Sequence, residues 1–142
     1  MKADAPIAFR VLGSGSRGNA TLVRLGGEAG GDRGRPRHLL LDAGFSPRRT
    51  VHRLAEEGLG PEDLEAIVLT HADHDHLHPG WAAVIERRAI PIFVHRRHRS
   101  RLLRHGITGH TIRLFESAAF EVPGGSDAPD DDRPVARLEP VM

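Results

Sequence analysis

Apolar and polar positions alternate in short blocks along the first 45 residues. Ile7 to Leu12 is a mostly apolar run, Ala20 to Leu25 a second, and Leu39 to Gly44 a third. Blocks of this length between glycine-rich segments predict β-strands. The first two are joined by Gly13 to Asn19, a tight loop whose glycines can adopt backbone angles closed to other residues. The segment 26–38 is charged, glycine-rich and poor in apolar residues, and predicts a mobile hairpin loop. The third strand ends near Asp42, so that carboxylate should emerge at the strand's C-terminal edge.

The period then changes. Ser46 and Pro47 form a helix-start signal, because serine caps free amides and proline suits the first turn. Val51, Leu54, Ala55 and Leu59 follow at spacings of one helical face, and Gly58 and Gly60 end it. Residues 61–66 predict a short helical turn opened by Pro61, and residues 67–70 a fourth strand that leads directly to His71. Trp81, Val84 and Ile85 predict a short helix packed on the sheet, with Trp81 in the core rather than serving as a substrate platform. Residues 90–94 predict a further strand, the arginine-rich segment a surface helix carrying Leu102 and Leu103, and residues 111–122 a terminal hairpin. Strands first, then alternating strand and helix, point to a layered α/β domain.

Composition narrows the setting. The 142 residues suit one domain, and 39% are hydrophobic and 27% charged. No apolar run reaches the ~20 residues of a membrane helix. The chain has no cysteine, which excludes disulfides and thiolate ligands, and its N-terminus lacks the apolar core of a secretory signal. A cytoplasmic protein with no membrane association is expected. The net charge of +1 gives no general polyanion-binding character. Five arginines in residues 95–105 and four aspartates in 127–132 read as solvated segments, the more so because Lys2 is the sole lysine.

Chemistry concentrates between His71 and His78, where four histidines and two aspartates fall together. Imidazole nitrogen and carboxylate oxygen suit divalent metals such as zinc. His71 and Asp73 are two residues apart and share a side in extended backbone, and Asp75 with His76 offers a second pair. Two such pairs suit two adjacent ions that activate a bridging hydroxide at neutral pH. A second register, His74, His76 and His78, shares one extended face but leaves His71 without a role. Ser14, Ser16 and Asn19 could bond a phosphate, yet the loop lacks a P-loop lysine, and a structural turn beside the site is the favoured reading.

These stretches, "VLGSGSRGNATLV", "LLLDAG" and "LTHADHDHLHPG", occur in the order found in the metallo-beta-lactamase superfamily, which the chain resembles over about residues 7–95. The resemblance implies a partial αββα metallo-beta-lactamase sandwich, its N-terminal half, formed by residues 1–142 as one incomplete domain. It implies a metal-dependent hydrolase in which metal-activated hydroxide attacks an ester-like or phosphodiester bond of a small-molecule or nucleic-acid substrate. The glycine loop is most similar to nuclease and phosphodiesterase members. Position by position, His71 corresponds to the first histidine ligand, Asp75 and His76 to the Asp-His pair, and Asp73 stands in place of the usual second histidine. Asp75 would also orient the nucleophile, while Asp42, His74 and His78 would support the ligands from behind. One or two Zn2+ ions are expected, with Mn2+ or Fe2+ made more compatible by the oxygen donor Asp73.

The family completes its cage with later ligands, a histidine, a bridging aspartate and a final histidine, whereas the last histidine here is His110. A chain truncated at its C-terminus, with uncovered apolar sheet surface and doubtful activity of its own, is therefore expected. The alternative is a complete, non-catalytic metal- or nucleic-acid-binding module whose arginine segment contacts phosphates.

Overall fold

Near-continuous burial in the central strands, with buried residues four apart in the first two helices, sorts the chain into a sheet with helices on one face. The computed structural model describes residues 7–26 and 35–116, together with the backbone of two short strands, Phe120–Val122 and Ala136–Leu138. Strands β1 (Ile7–Gly13), β2 (Ala20–Leu25) and β3 (Arg37–Leu41) run antiparallel. From β3 onward, β4 (Leu64–Val68), β5 (Ile92–His95) and β6 (Ile112–Phe115) continue the sheet in parallel, in the spatial order β1-β2-β3-β4-β5-β6. Parallel neighbours require crossovers, and helices α1 (Pro47–Glu56), α2 (Trp81–Arg88) and α3 (Arg99–Arg104) supply them.

The helices cover one face of the sheet. Leu22, Leu40, Ile67, Ile92 and Val94 pack there with Leu54 of α1, Trp81 and Ile85 of α2 and Leu102 of α3. Trp81 is fully buried, and its indole Nε1 donates to the Phe45 carbonyl at 2.8 Å. A core tryptophan usually finds such a partner for its one polar group. On the opposite face Leu25, Leu39, Ala66, Val68 and Phe93 form a second buried cluster. Among the described residues, large apolar side chains are exposed on the edge strand β1. Ile7, Phe9 and Val11 pair with Leu25, Val23 and Thr21 on this second face and are 65%, 75% and 56% exposed.

Several local expectations need correction. Residues 61–66 are not a helical turn throughout: only Pro61–Asp63 is 3-10 helical, and Leu64 already starts β4. The cause is register, since Leu64 is opposite His38 and is buried in the helix-side core. Residues 111–122 do not form a hairpin, because β6 pairs in parallel with β5, whereas β7 (Phe120–Val122) pairs with β8 (Ala136–Leu138). The helical face on α1 is narrower than its periodicity suggests, with Thr50 and Leu54 buried and Val51 and Ala55 exposed. Arg37 and His38, assigned to the loop by sequence, belong to β3, while 27–34 of that loop lie outside the described residues. The Ser46 cap is present, its Oγ accepting from the Arg49 amide at 3.2 Å ahead of Pro47.

Candidate metal centre

Loops leaving the C-terminal ends of parallel strands converge at one edge of a sheet, the usual place for chemistry in such folds. Here Asp42 follows β3, Thr70 and His71 follow β4, and His95 and His98 lie at and beyond the end of β5. The loop after β4 is fixed by its two apolar members. Ala72 and Leu77 are buried, which turns the intervening polar side chains outward. Between them, the amides of His76 and Leu77 both donate to the Asp73 carbonyl, at 2.9 and 2.8 Å, closing a helix-like turn.

This loop is stitched to two others. The Ala43 amide donates to the His76 carbonyl and the His78 amide to the Ala43 carbonyl, each at 2.7 Å. Asn19 donates its amide to the Asp75 carbonyl at 2.8 Å and its side-chain nitrogen to the same oxygen at 3.2 Å. The glycine-rich loop is thus a structural turn against the cluster. Gly18 has φ +140°, with the Gly44 carbonyl 2.8 Å from where a Cβ would stand. Only glycine adopts that backbone without strain. Gly44 is tighter still, since a Cβ there would lie 1.9 Å from the Asp75 carbonyl oxygen.

Asp42 organises the donors. Its Oδ1 accepts from the Thr70 amide at 2.8 Å, and its Oδ2 accepts from the Thr70 hydroxyl at 2.7 Å and lies 2.9 Å from His76 Nδ1. A carboxylate only accepts, so both partners of Oδ2 must donate, which puts a hydrogen on His76 Nδ1 and, in the neutral ring, the lone pair on Nε2. The Thr70 hydrogen is then committed to Asp42, so the Thr70 oxygen, 3.2 Å from His71 Nδ1, accepts from that ring as well. His71 is left with its lone pair on Nε2. The two imidazoles are neighbours, 5.1 Å apart between centroids. Asp42 and Thr70 therefore set both in the tautomer used for metal ligation. Asp42 itself adopts a left-handed backbone, φ 60°. Aspartate and asparagine tolerate that conformation better than most residues.

The chemistry of this pair fits a divalent cation. His76 Nε2 and Asp75 Oδ2 face each other at 3.6 Å. Two acceptors confront one another there, and metal–donor bonds of about 2.0–2.2 Å at a tetrahedral angle separate two ligands by about 3.3–3.6 Å. Among the described residues no three imidazole or carboxylate groups already converge on one point. Asp73 points elsewhere, to an ion pair with Arg101 of α3. His74 is exposed beside Asp73, and His78 turns back to accept from the Gly80 amide at 3.0 Å near the start of α2. The structure therefore links Asp42 to His71 and His76 through Thr70 and sets Asp75 beside His76, while Asp73 pairs with Arg101 and His78 with the Gly80 amide.

Two participants were not singled out by sequence. Thr70, which links Asp42 to both histidines, is marked only by its place between the strand and His71. His98 lies with its ring centroid 6.1 Å from that of His71, and burial followed by the charge of Arg97 lowers its pKa. Its helical spacing from Arg101, and that of Arg101 from Arg104 and His105, was a readable signal hidden within what looked like a solvated arginine run.

The family model described as the metallo-beta-lactamase superfamily matches residues 14–139. An exodeoxyribonuclease, WalJ, of Streptococcus pneumoniae is 37% identical over 70 residues, a match covering 49% of this chain and 23% of that protein. The chemotaxis sensor ODP, solved as a peroxy diiron species, superposes with TM-score 0.56 at 19% identity, over 86% of this chain and 46% of that one. MEM-A1, a subclass B3 metallo-beta-lactamase from a soil metagenome library, gives TM-score 0.53 at 18% identity over 82% and 46%. The chain thus spans under half the length of these two solved structures, and it shares their fold. A sheet flanked by helices, a histidine-aspartate loop at its strand ends and a family match across most of the sequence lead to one assignment: this chain belongs to the metallo-beta-lactamase superfamily.

Proposed function

We propose that the chain contributes the first metal-binding loop of a metal-dependent hydrolase that cleaves phosphodiester bonds of nucleic acid. Superfamily members are generally hydrolases using divalent metals, and the nuclease relative supports this substrate class. The observation that carries the reading is the Asp42–Thr70 network, which engages His71 and His76 through Nδ1 and leaves His76 Nε2 3.6 Å from Asp75 Oδ2. In this reading Asp75 and His76 hold the ion, with His71 alongside. A bound divalent metal supplies Lewis-acid activation of water and of a phosphoryl oxygen.

The chain's own residues provide the rest. Asp75 Oδ2 faces His76, leaving Oδ1 to accept a hydrogen bond from an attacking water and orient it. Asp42 holds His76 through its Nδ1 hydrogen, so the neutral ring presents its lone pair at Nε2. Zinc is the ion we assign, with manganese or iron as substitutes, and the cytoplasm is the setting. Among the described residues no helix is long and apolar enough to cross a membrane. One observation favours a non-catalytic metal- or nucleic-acid-binding module instead: Asp73 is engaged by Arg101.

The test is metal analysis and hydrolysis of single-stranded DNA by the full-length gene product and its His71→Ala and Asp75→Ala variants. Removing a metal ligand should abolish most turnover and lower metal stoichiometry. Wild-type activity and metal content in both variants would overturn the assignment.

A further inference from the structure

Beside the donor loop, on the side of α3, lies an open cavity of about 390 Å³ lined by Ala72, Asp73, His74, Arg101, Arg104 and His105. That volume lies within the range of small-ligand clefts, about 300–1,000 Å³. Arg101 and Arg104 of α3 and His105, which caps its end, are spaced at i, i+3 and i+4, and all three line the cavity. The lining holds two guanidinium groups and two imidazoles against a single carboxylate, Asp73. That carboxylate is paired with Arg101, which fixes the guanidinium at the cavity wall. Arg104 is exposed and, unlike Arg96, which pairs with Glu116 at 3.1 Å, meets no carboxylate among the described residues. Planar guanidinium groups match phosphate oxygens in a bidentate manner.

The geometry points to a binding subsite for a backbone phosphate of a nucleic-acid strand, formed by Arg101, Arg104 and His105 with His74 at its rim. This rests on the phosphodiesterase reading and names where the strand adjoining the scissile bond is held. The loop from His71 to His78 is shared by both sites: His71 and His76 face the proposed metal, whereas Asp73 and His74 line the cavity. A strand seated against α3 would therefore run directly into the donor cluster. Arginine residues that sequence alone assigns to a solvated surface become the elements that position substrate.

The experiment measures binding of a fluorescein-labelled single-stranded DNA to the 142-residue chain by anisotropy, in chelator, across a salt series. Each lost phosphate contact should flatten the dependence of log affinity on log salt by about 0.7 for single strands. Arg101→Gln and Arg104→Gln should each weaken binding several-fold and reduce the slope by that amount. The control Arg87→Gln/Arg88→Gln removes two exposed arginines of α2 that do not line the cavity, and should leave the slope unchanged. Circular dichroism checks that each variant is folded, and Arg104→Gln, which breaks no recorded ion pair among the described residues, decides the case if Arg101→Gln is not. Absence of binding by the wild-type chain, or equal losses in the α2 control, overturns the subsite. Arginine-dependent binding with no hydrolysis by the metal-loaded full-length product would overturn the enzymatic reading and uphold the subsite. Hydrolysis without arginine-dependent binding would do the reverse.

Discussion

Replacing Asp42 by asparagine changes the donor cluster while leaving its shape almost intact. The backbone at this position is left-handed, φ 60°. Asparagine accepts that conformation, so the strand end should not move. Its amide oxygen can still accept from the Thr70 amide, now 2.8 Å from Oδ1. The amide nitrogen, however, replaces Oδ2 and confronts two groups that donate in the wild-type protein, the Thr70 hydroxyl at 2.7 Å and His76 Nδ1 at 2.9 Å. The hydroxyl can rotate. The imidazole can respond only by shifting its proton to Nε2, and that removes the lone pair facing Asp75. Loss of such an outer partner costs about 10–100-fold in metal affinity, or about 1.4–2.7 kcal/mol. Apo stability should fall by about 1–2 kcal/mol as charge-assisted hydrogen bonds give way to neutral ones. Calorimetric zinc titration measures the first effect, urea unfolding the second, and nitrogen-15 NMR of the His76 ring reports the tautomer without any metal. Wild-type zinc affinity together with a His76 proton still on Nδ1 in Asp42→Asn would refute the reasoning.

Two further outcomes follow from other parts of the fold. Gly44→Ala places a Cβ 1.9 Å from the Asp75 carbonyl oxygen and 2.5 Å from the Asn19 amide, both backbone atoms that cannot swing aside. Overpacking and the disturbed loop hydrogen bonds should cost about 3 kcal/mol, lowering Tm by roughly 10 °C in scanning calorimetry, and a shift under about 2 °C would contradict the close approach. At His38, burial lowers the pKa from its ordinary 6.5. The unfolded chain therefore binds that proton more readily than the folded one. Its contribution to stability is complete above pH 6.5 and is lost as pH falls from there through the folded value. Denaturant midpoints across this window should fall less steeply for His38→Gln than for the wild-type chain, and parallel profiles would rule out His38 as the cause.

The strands that carry the site were legible because their apolar runs are continuous and end at chemically distinctive residues, Asp42 and His71. The helix cap at Ser46 and the core role of Trp81 were legible for the same local reasons. What sequence did not disclose depends on partners far along the chain. Leu64 looked helical after Pro61 until its pairing with β3 imposed an extended backbone. Asp73 looked equivalent to its loop neighbours, and only the approach of α3, 28 residues later, gives it Arg101 as a partner. The tautomers of His71 and His76 are set by Asp42, 34 residues before His76, through a threonine that spacing alone gave no reason to select.

The same separations bear on the order in which the molecule acquires its parts. Asn19 meets Asp75 across 56 residues and Asp42 meets Thr70 across 28. Closing loops of such length costs entropy before any contact offsets it. We expect the donor cluster to form no earlier than the pairing of β2, β3 and β4 that brackets it, which would make its geometry a late checkpoint on the folded state. An ion that favours this arrangement over the unfolded chain would bind after the sheet is complete and act as a latch, slowing unfolding more than it speeds folding.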